Sequence, residues 1–245
     1  MSADEPAPRE RPIRSFVRRQ GRFTAAQRDA FDSLWAGRGL EPGDIPLELG
    51  ALFPGCEAFV VEIGFGMGHT LAELAGRSPR TGFVGIEVHR PGVGKLLAMA
   101  EERGLQNVHV FCHDAVDVLE RRIPDAALDA VLLFFPDPWH KKRHHKRRLV
   151  QRPFVELVQR KLKSGGLFHL ATDWEDYARQ MLEVVESVPG WVNQAGAGCF
   201  SPRPESRPLT RFEQRGMRLG HGVWDLLFRK GVAPDQANSA STAFR

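Results

Sequence analysis

Cysteine is scarce in this 245-residue chain: Cys56, Cys112 and Cys199 are far apart and odd in number. They make no CxxC pair, no Cys/His spacing suited to a metal and no disulfide framework, so no metal site is expected and a reduced, cytoplasmic setting is. Long apolar runs are lacking as well. The longest, residues 130–135, is far short of the roughly 20 residues a bilayer requires. The Pro-rich, charged first dozen residues lack the apolar stretch of a secretory signal. A disulfide scaffold and a membrane-spanning protein are therefore excluded. With 42% hydrophobic and 26% charged residues, the apolar content suits one large core plus tails.

The net charge is only +4, but it is unevenly placed. Residues 140–148 read HKKRHHKRR, with six Lys/Arg, three His and no acid, and residues 1–22 carry a net +3. The rest of the chain is left at −5. Positive charge confined to two short places suits a polyanionic partner; a solvated charged loop is the alternative for such a run.

Residues 1–45 are Arg-rich and broken by proline and glycine, with one short helix at 24–35, and read as an arm. A domain at 46–230 follows, then an Ala/Ser-rich stretch, 231–245, that reads as a disordered tail. Within the domain, strands are expected at 58–64, 81–88, 107–114, 128–135 and 166–173. Helices are expected at 69–76, 92–103, 115–122, 152–162 and 174–188, the fourth stopping at Ser164-Gly165-Gly166. Two further strands, 191–193 and 222–229, suit an antiparallel edge. Strict alternation implies an α/β, Rossmann-like, doubly wound, mostly parallel seven-stranded sheet.

The first strand-to-helix turn reads EIGFGMGH, with Gly64, Gly66 and Gly68 at alternate positions after Glu62. Such a turn lets a ligand approach the main chain, although a tight turn in any α/β fold has the same look. Glu87 ends the second expected strand and Asp114 the third. Each singly suits a helix N-cap; together they line the edge where open α/β sheets bind ligands, with Glu87 placed for a ribose and Asp114 for an adenine amine. No Lys or Arg lies between Gly64 and Gly76, so the implied cofactor carries a nucleoside without a diphosphate. The fourth strand runs into Pro136-Asp137-Pro138-Trp139, which pins Asp137 between prolines. Trp139 offers a face for a base or a packing surface.

At this point the chain resembles the bacterial tRNA guanine-N7 methyltransferases, which use S-adenosylmethionine. The resemblance rests on VEIGFGMGHTLAELA, FVGIEVHRPG, LFFPDPWHKKRHHKRR, FHLATDWEDYA and RPLTRFEQRG, in that order. It implies cofactor contacts from Glu62, Glu87, Asp114 and Asp137, with Asp137 as the catalytic candidate. Substrate contacts are implied from Lys141, Asp173, Thr210, Arg211, Phe212 and Glu213. Arg143, His144, His145, Lys146, Arg147 and Arg148 would face RNA, with the tRNA variable loop as the expected target. Asp173 also suits an N-cap for the helix that follows, and Glu213 a pairing with Arg211 or Arg215. The alternatives in function are a non-catalytic RNA-binding protein on the same fold and a methyltransferase acting at another nucleic-acid position. The oligomeric state, monomer or homodimer, is left open.

Overall fold

The computed structural model describes residues 23–209, 213 and 222–231. In chain order come α1 (Ala25–Arg38), β1 (Gly39–Leu40), α2 (Leu49–Leu52), β2 (Ala58–Ile63), α3 (His69–Arg77), β3 (Thr81–Ile86) and α4 (Arg90–Glu102). They are followed by β4 (Val108–Phe111), α5 (Ala115–Arg121), β5 (Leu128–Phe134), the 3-10 helix η1 (Lys142–Arg147), α6 (Arg152–Lys161), β6 (Leu162–Thr172), α7 (Glu175–Glu186), β7 (Trp191–Asn193) and β8 (Trp224–Lys230). The sheet order is β1-β4-β3-β2-β5-β6-β8-β7. The pairings from β1 through β6 are parallel, whereas β8 is antiparallel to both β6 and β7. All seven expected strands are present, and β1 adds an eighth by pairing Gly39 and Leu40 with Val110 and Phe111.

The apolar run of β5 is explained by cover on both faces. Val131 and Leu133 point into a layer with Val155, Val158, Tyr177 and Met181 of α6 and α7. Ala130, Leu132 and Phe134 point the other way, against Leu71, Val93, Leu96 and Leu97 of α3 and α4. A period of two along a doubly covered strand leaves no polar face.

Two local features depart from the expected pattern. Ser164, Gly165 and Gly166 do not stop α6; they lie inside β6, where the register against β5 shifts between Leu128 and Ala130 and Gly165 takes φ +74. The extra residues form a bulge, and a left-handed glycine absorbs it. The second concerns the stretch read as an arm. Its described part is packed on the domain: α1 is capped by Thr24 and Gln27 and buries Phe31. It lies so close to α4 that a Cβ on Gly94 would fall 2.1 Å from the Gln27 carbonyl oxygen.

The strand order reverses between β2 and β5, which are neighbours although far apart in sequence. Their connections leave in opposite directions and open a crevice at the C-terminal edge, where ligands of such sheets bind.

Candidate active site

The glycine turn after β2 carries positive φ at Gly64 (+70), Gly66 (+58) and Gly68 (+75). A Cβ at Gly64 or Gly66 would meet nothing within 4 Å, so the backbone there faces open space rather than packed side chains. The turn is held from beneath: Gly92 at the start of α4 would place a Cβ 2.0 Å from the Gly66 carbonyl oxygen, and Gly66 N–H donates to Glu87 Oε2 at 2.9 Å. Glu87 Oε1 accepts from the backbone of Val88 (2.7 Å) and His89 (2.9 Å). Glu62 is buried on β2, and its Oε2 has no hydrogen-bond partner. Burial, with Glu87 second, pushes its carboxyl up to about 8. Asp114 does cap α5, with Oδ1 accepting from Val116 at 2.8 Å and more weakly from Asp117 at 3.4 Å.

Asp137 and Asp173 follow adjacent strands. Phe134 pairs with Ala171, and Phe135 N–H still donates to the Ala171 carbonyl at 2.7 Å, so both chains leave the sheet at one level. Asp137 is exposed and Asp173 half-buried. Asp173 does not cap α7: the N-cap is Trp174, whose N–H is met by Thr172 Oγ1 at 3.2 Å. Among the described residues, neither carboxylate has a hydrogen-bond or ion-pair partner. The backbone on either side of Asp137 is left-handed at Phe135 (φ 52) and Trp139 (φ 49), strain of about 1–3 kcal/mol per residue that gathers at functional sites. The Arg147 guanidinium lies 5.0 Å from the Trp139 ring centroid and His144 meets its edge. That favours packing over base stacking for Trp139.

The basic run forms η1. Lys141, Lys142, Arg143 and Lys146 are exposed, and His144, His145 and Arg147 are half-buried. Arg148 corrects the sequence reading: its side chain is only 1% exposed and cannot face RNA. It donates to the Pro138 carbonyl (2.9 Å), Gln180 Oε1 (2.5 Å) and Asp176 Oδ2 (2.6 Å), contacts His145 Nε2 (3.1 Å), and stacks on Tyr177. The last cation of the run therefore ties the Asp137 loop to α7. It also holds the Asp176 carboxyl below its ordinary range.

Glu213 is buried as well and pairs with Arg207, through two bonds of 2.7 Å; Arg211 and Arg215, the partners expected from the sequence, lie outside the described residues. Arg207 also grips Asp225 of β8, with Nε to Oδ1 at 2.7 Å and Nη2 to Oδ2 at 2.9 Å. Asp225 Oδ1 lies 2.8 Å from His169 Nε2. An ionised carboxylate only accepts, so His169 is protonated at Nε2. Burial, against the pull of Asp225, lowers its basicity. Arg207 stands in the quoted RPLTRFEQRG stretch, but nothing in its spacing reveals a partner eighteen residues away. Thr210, Arg211 and Phe212 lie outside the described residues, as do residues 232–245 of the tail and residues 1–22 of the arm. No group of three or more His, Cys, Asp or Glu suited to a metal occurs among the described residues.

A family model described as "Putative methyltransferase" matches residues 57–226, from β2 into β8. The chain is 60% identical to the tRNA (guanine-N(7)-)-methyltransferase of Klebsiella pneumoniae, over 90% of this chain and 92% of that one. It is 58% identical to the protein of that name from Serratia proteamaculans, over 93% and 95%. The chain belongs to the tRNA (guanine-N(7)-)-methyltransferase family. Among solved structures, the 16S rRNA methyltransferase KamB superposes with a TM-score of 0.56 at 18% identity, covering 78% of this chain and 95% of that one, a likeness of fold. The methyltransferase's cofactor is S-adenosylmethionine, and the residues present fit it. The unmatched Glu62 oxygen suits a cationic ammonium, the open backbone at Gly64 and Gly66 admits a ligand, and Glu87 and Asp114 supply acceptors further along the edge. Among the described residues, no helix is long and apolar enough to cross a membrane.

Proposed function

We propose that this chain methylates N7 of a guanosine in tRNA, within the variable loop, using S-adenosylmethionine and leaving 7-methylguanosine. The observation that carries the reading is Asp173. It is an acceptor-only group at the C-terminal edge, spared from helix capping and without a partner among the described residues, in a chain 60% identical to an enzyme of that name.

Glu62, Glu87 and Asp114 hold the cofactor, which supplies an electrophilic methyl group on a sulfonium when bound. Guanine N7 has a free lone pair, so no side chain has to remove a proton from the base, and the protein's contribution is positioning and exclusion of water. Asp173 and Glu213 accept from guanine N1–H and the exocyclic amine. As the ring gains positive charge these bonds strengthen, which stabilises the transition state more than the ground state. Adenine presents an acceptor at N1 and is repelled by the same carboxylates. Asp137 positions the base and the donor against each other, with its loop held stiff by two prolines and by Arg148. Lys141, Lys142, Arg143 and Lys146 meet phosphates, while Arg147 and His144 hold Trp139.

The test is incubation with unmodified bulk tRNA and methyl-labelled S-adenosylmethionine. Label in 7-methylguanosine, with strand scission after borohydride and aniline, is expected. Label at another base, or none, overturns the proposal.

A further inference from the structure

We propose that Arg207 is a positioning residue for methyl transfer, fixing the Glu213 carboxylate against the C-terminal edge of the sheet in the orientation that meets the target base. The inference rests on the function proposed above and deepens it.

Arg207 is the largest fully buried side chain among the described residues. Its guanidinium makes one fork with each of two carboxylates: Nη1 and Nη2 with Glu213, Nε and Nη2 with Asp225. Asp225 is not a loose partner. It sits inside β8, paired in register with Ala171 of β6, and its Oδ1 is also held by His169, two residues before Ala171. The Phe134 and Phe135 rings, which close β5 just before Asp137, lie 5.9 and 5.7 Å from the Arg207 guanidinium. The backbone of Arg207 is fixed too, its carbonyl accepting from Arg203 at 2.8 Å and its N–H donating to Pro204 at 3.1 Å. Glu213 is thereby registered against the strand ends that carry Asp137 and Asp173.

Stability alone is a poor reason for this arrangement. Burying one cation and two anions costs desolvation that their attraction barely offsets, and apolar residues of the same volume serve a core at least as well. What a planar bidentate fork adds is direction.

The experiment compares the full chain with Arg207→Lys, Glu213→Gln and the double variant, on unmodified tRNA. It measures kcat and KM for tRNA, cofactor affinity by calorimetry and the thermal midpoint. Lysine keeps the charge but loses the fork. Arg207→Lys is expected to lower kcat by about a hundredfold, the cost of displacing a positioned group by an ångström, with cofactor affinity within about twofold of the parent. Because the two residues act as one unit, the double variant is expected to turn over no more slowly than the slower single one. A double variant that loses the product of the two factors, or an Arg207→Lys enzyme with the parent's kcat, overturns the proposal. Equal losses in kcat and cofactor affinity also overturn it, by marking Arg207 as structural. If Arg207→Lys does not fold, Asp225→Asn, isosteric and one fork weaker, gives the same comparison. The identity of the methylated atom is scored separately on the parent chain by borohydride and aniline, so a failure of the N7 reading is distinguished from a failure of the coupling.

Discussion

Glu62 shows how a single buried acid can report ligand binding. Burial first, and Glu87 second, raise its carboxyl from 4.5 to about 8, so the ligand-free protein carries it protonated at neutral pH. The unfolded chain releases that proton near the ordinary carboxylate value. The folded state therefore binds the extra proton between those limits, and stability falls as pH rises through that window. Glu62→Gln, which mimics the protonated form, should raise the thermal midpoint of the ligand-free protein at pH 9 and leave it nearly unchanged at pH 4. A positively charged cofactor favours the carboxylate, so binding below pH 8 should release a proton and tighten as pH rises. Calorimetry at pH 7 in two buffers of different ionisation enthalpy reads that proton; a heat independent of buffer counts against it. Asp173 is the contrasting residue, because the N-cap of α7 is Trp174 and the Asp173 carboxylate is not spent on the helix. Asp173→Asn should cost about a hundredfold or more in kcat, the scale of losing one preorganised electrostatic contact, with the thermal midpoint and cofactor affinity preserved. Weaker cofactor binding with normal turnover at saturation would remove Asp173 from the base side.

At the scale of elements, η1 divides into cations that face water and one that faces the core. Lys142, Arg143 and Lys146 are exposed, whereas Arg148 is locked to Pro138, Gln180 and Asp176. Replacing the three exposed cations with Gln should weaken tRNA binding and reduce the slope of log affinity against log salt by about two to three units, since each phosphate contact contributes about one. Arg148→Ala should instead lower stability by about 1–3 kcal/mol, through the lost packing of its buried side chain on Tyr177 and the lost bonds to Pro138 and Gln180, as read by denaturant unfolding. An unchanged thermal midpoint in that variant would return Arg148 to the RNA-facing set. The strand-helix alternation and the acids ending β2, β3 and β4 were legible in the sequence because burial periodicity and turn glycines are local signals. The inward turn of Arg148 was not, since six Lys/Arg in one run carry no mark of which will find a Tyr177 ring beneath it. The docking of α1 on α4 was hidden for a similar reason. Gly94 looks like any glycine in a helix until the Gln27 carbonyl is seen beside it.

On the proposed function, sheet topology separates the two ligands. Strand order reverses between β2 and β5, so Glu62, Glu87 and Asp114 lie on the β2-β3-β4 side. Asp137, Asp173 and the Arg207–Asp225–Glu213 cluster lie on the β5-β6-β8 side. Outside residues 1–22 and 140–148 the chain is net −5, a body that repels a polyanion everywhere but at its basic segments. RNA should therefore be admitted from the η1 side, with its phosphates on exposed cations and a base edge turned toward Asp173, while the cofactor, meeting buried Glu62 and half-buried Glu87 and Asp114, is screened less by salt. The two affinities should separate on an ionic-strength series. From 50 to 200 mM KCl the tRNA affinity is expected to fall by about tenfold to a thousandfold, scaling with the number of phosphates neutralised. Over the same series the cofactor affinity is expected to change by about twofold at most. Equilibrium titrations of each ligand alone supply both slopes. A cofactor slope as steep as that for tRNA would mean that mobile surface charge, rather than the sheet edge at Glu62 and Glu87, holds the donor.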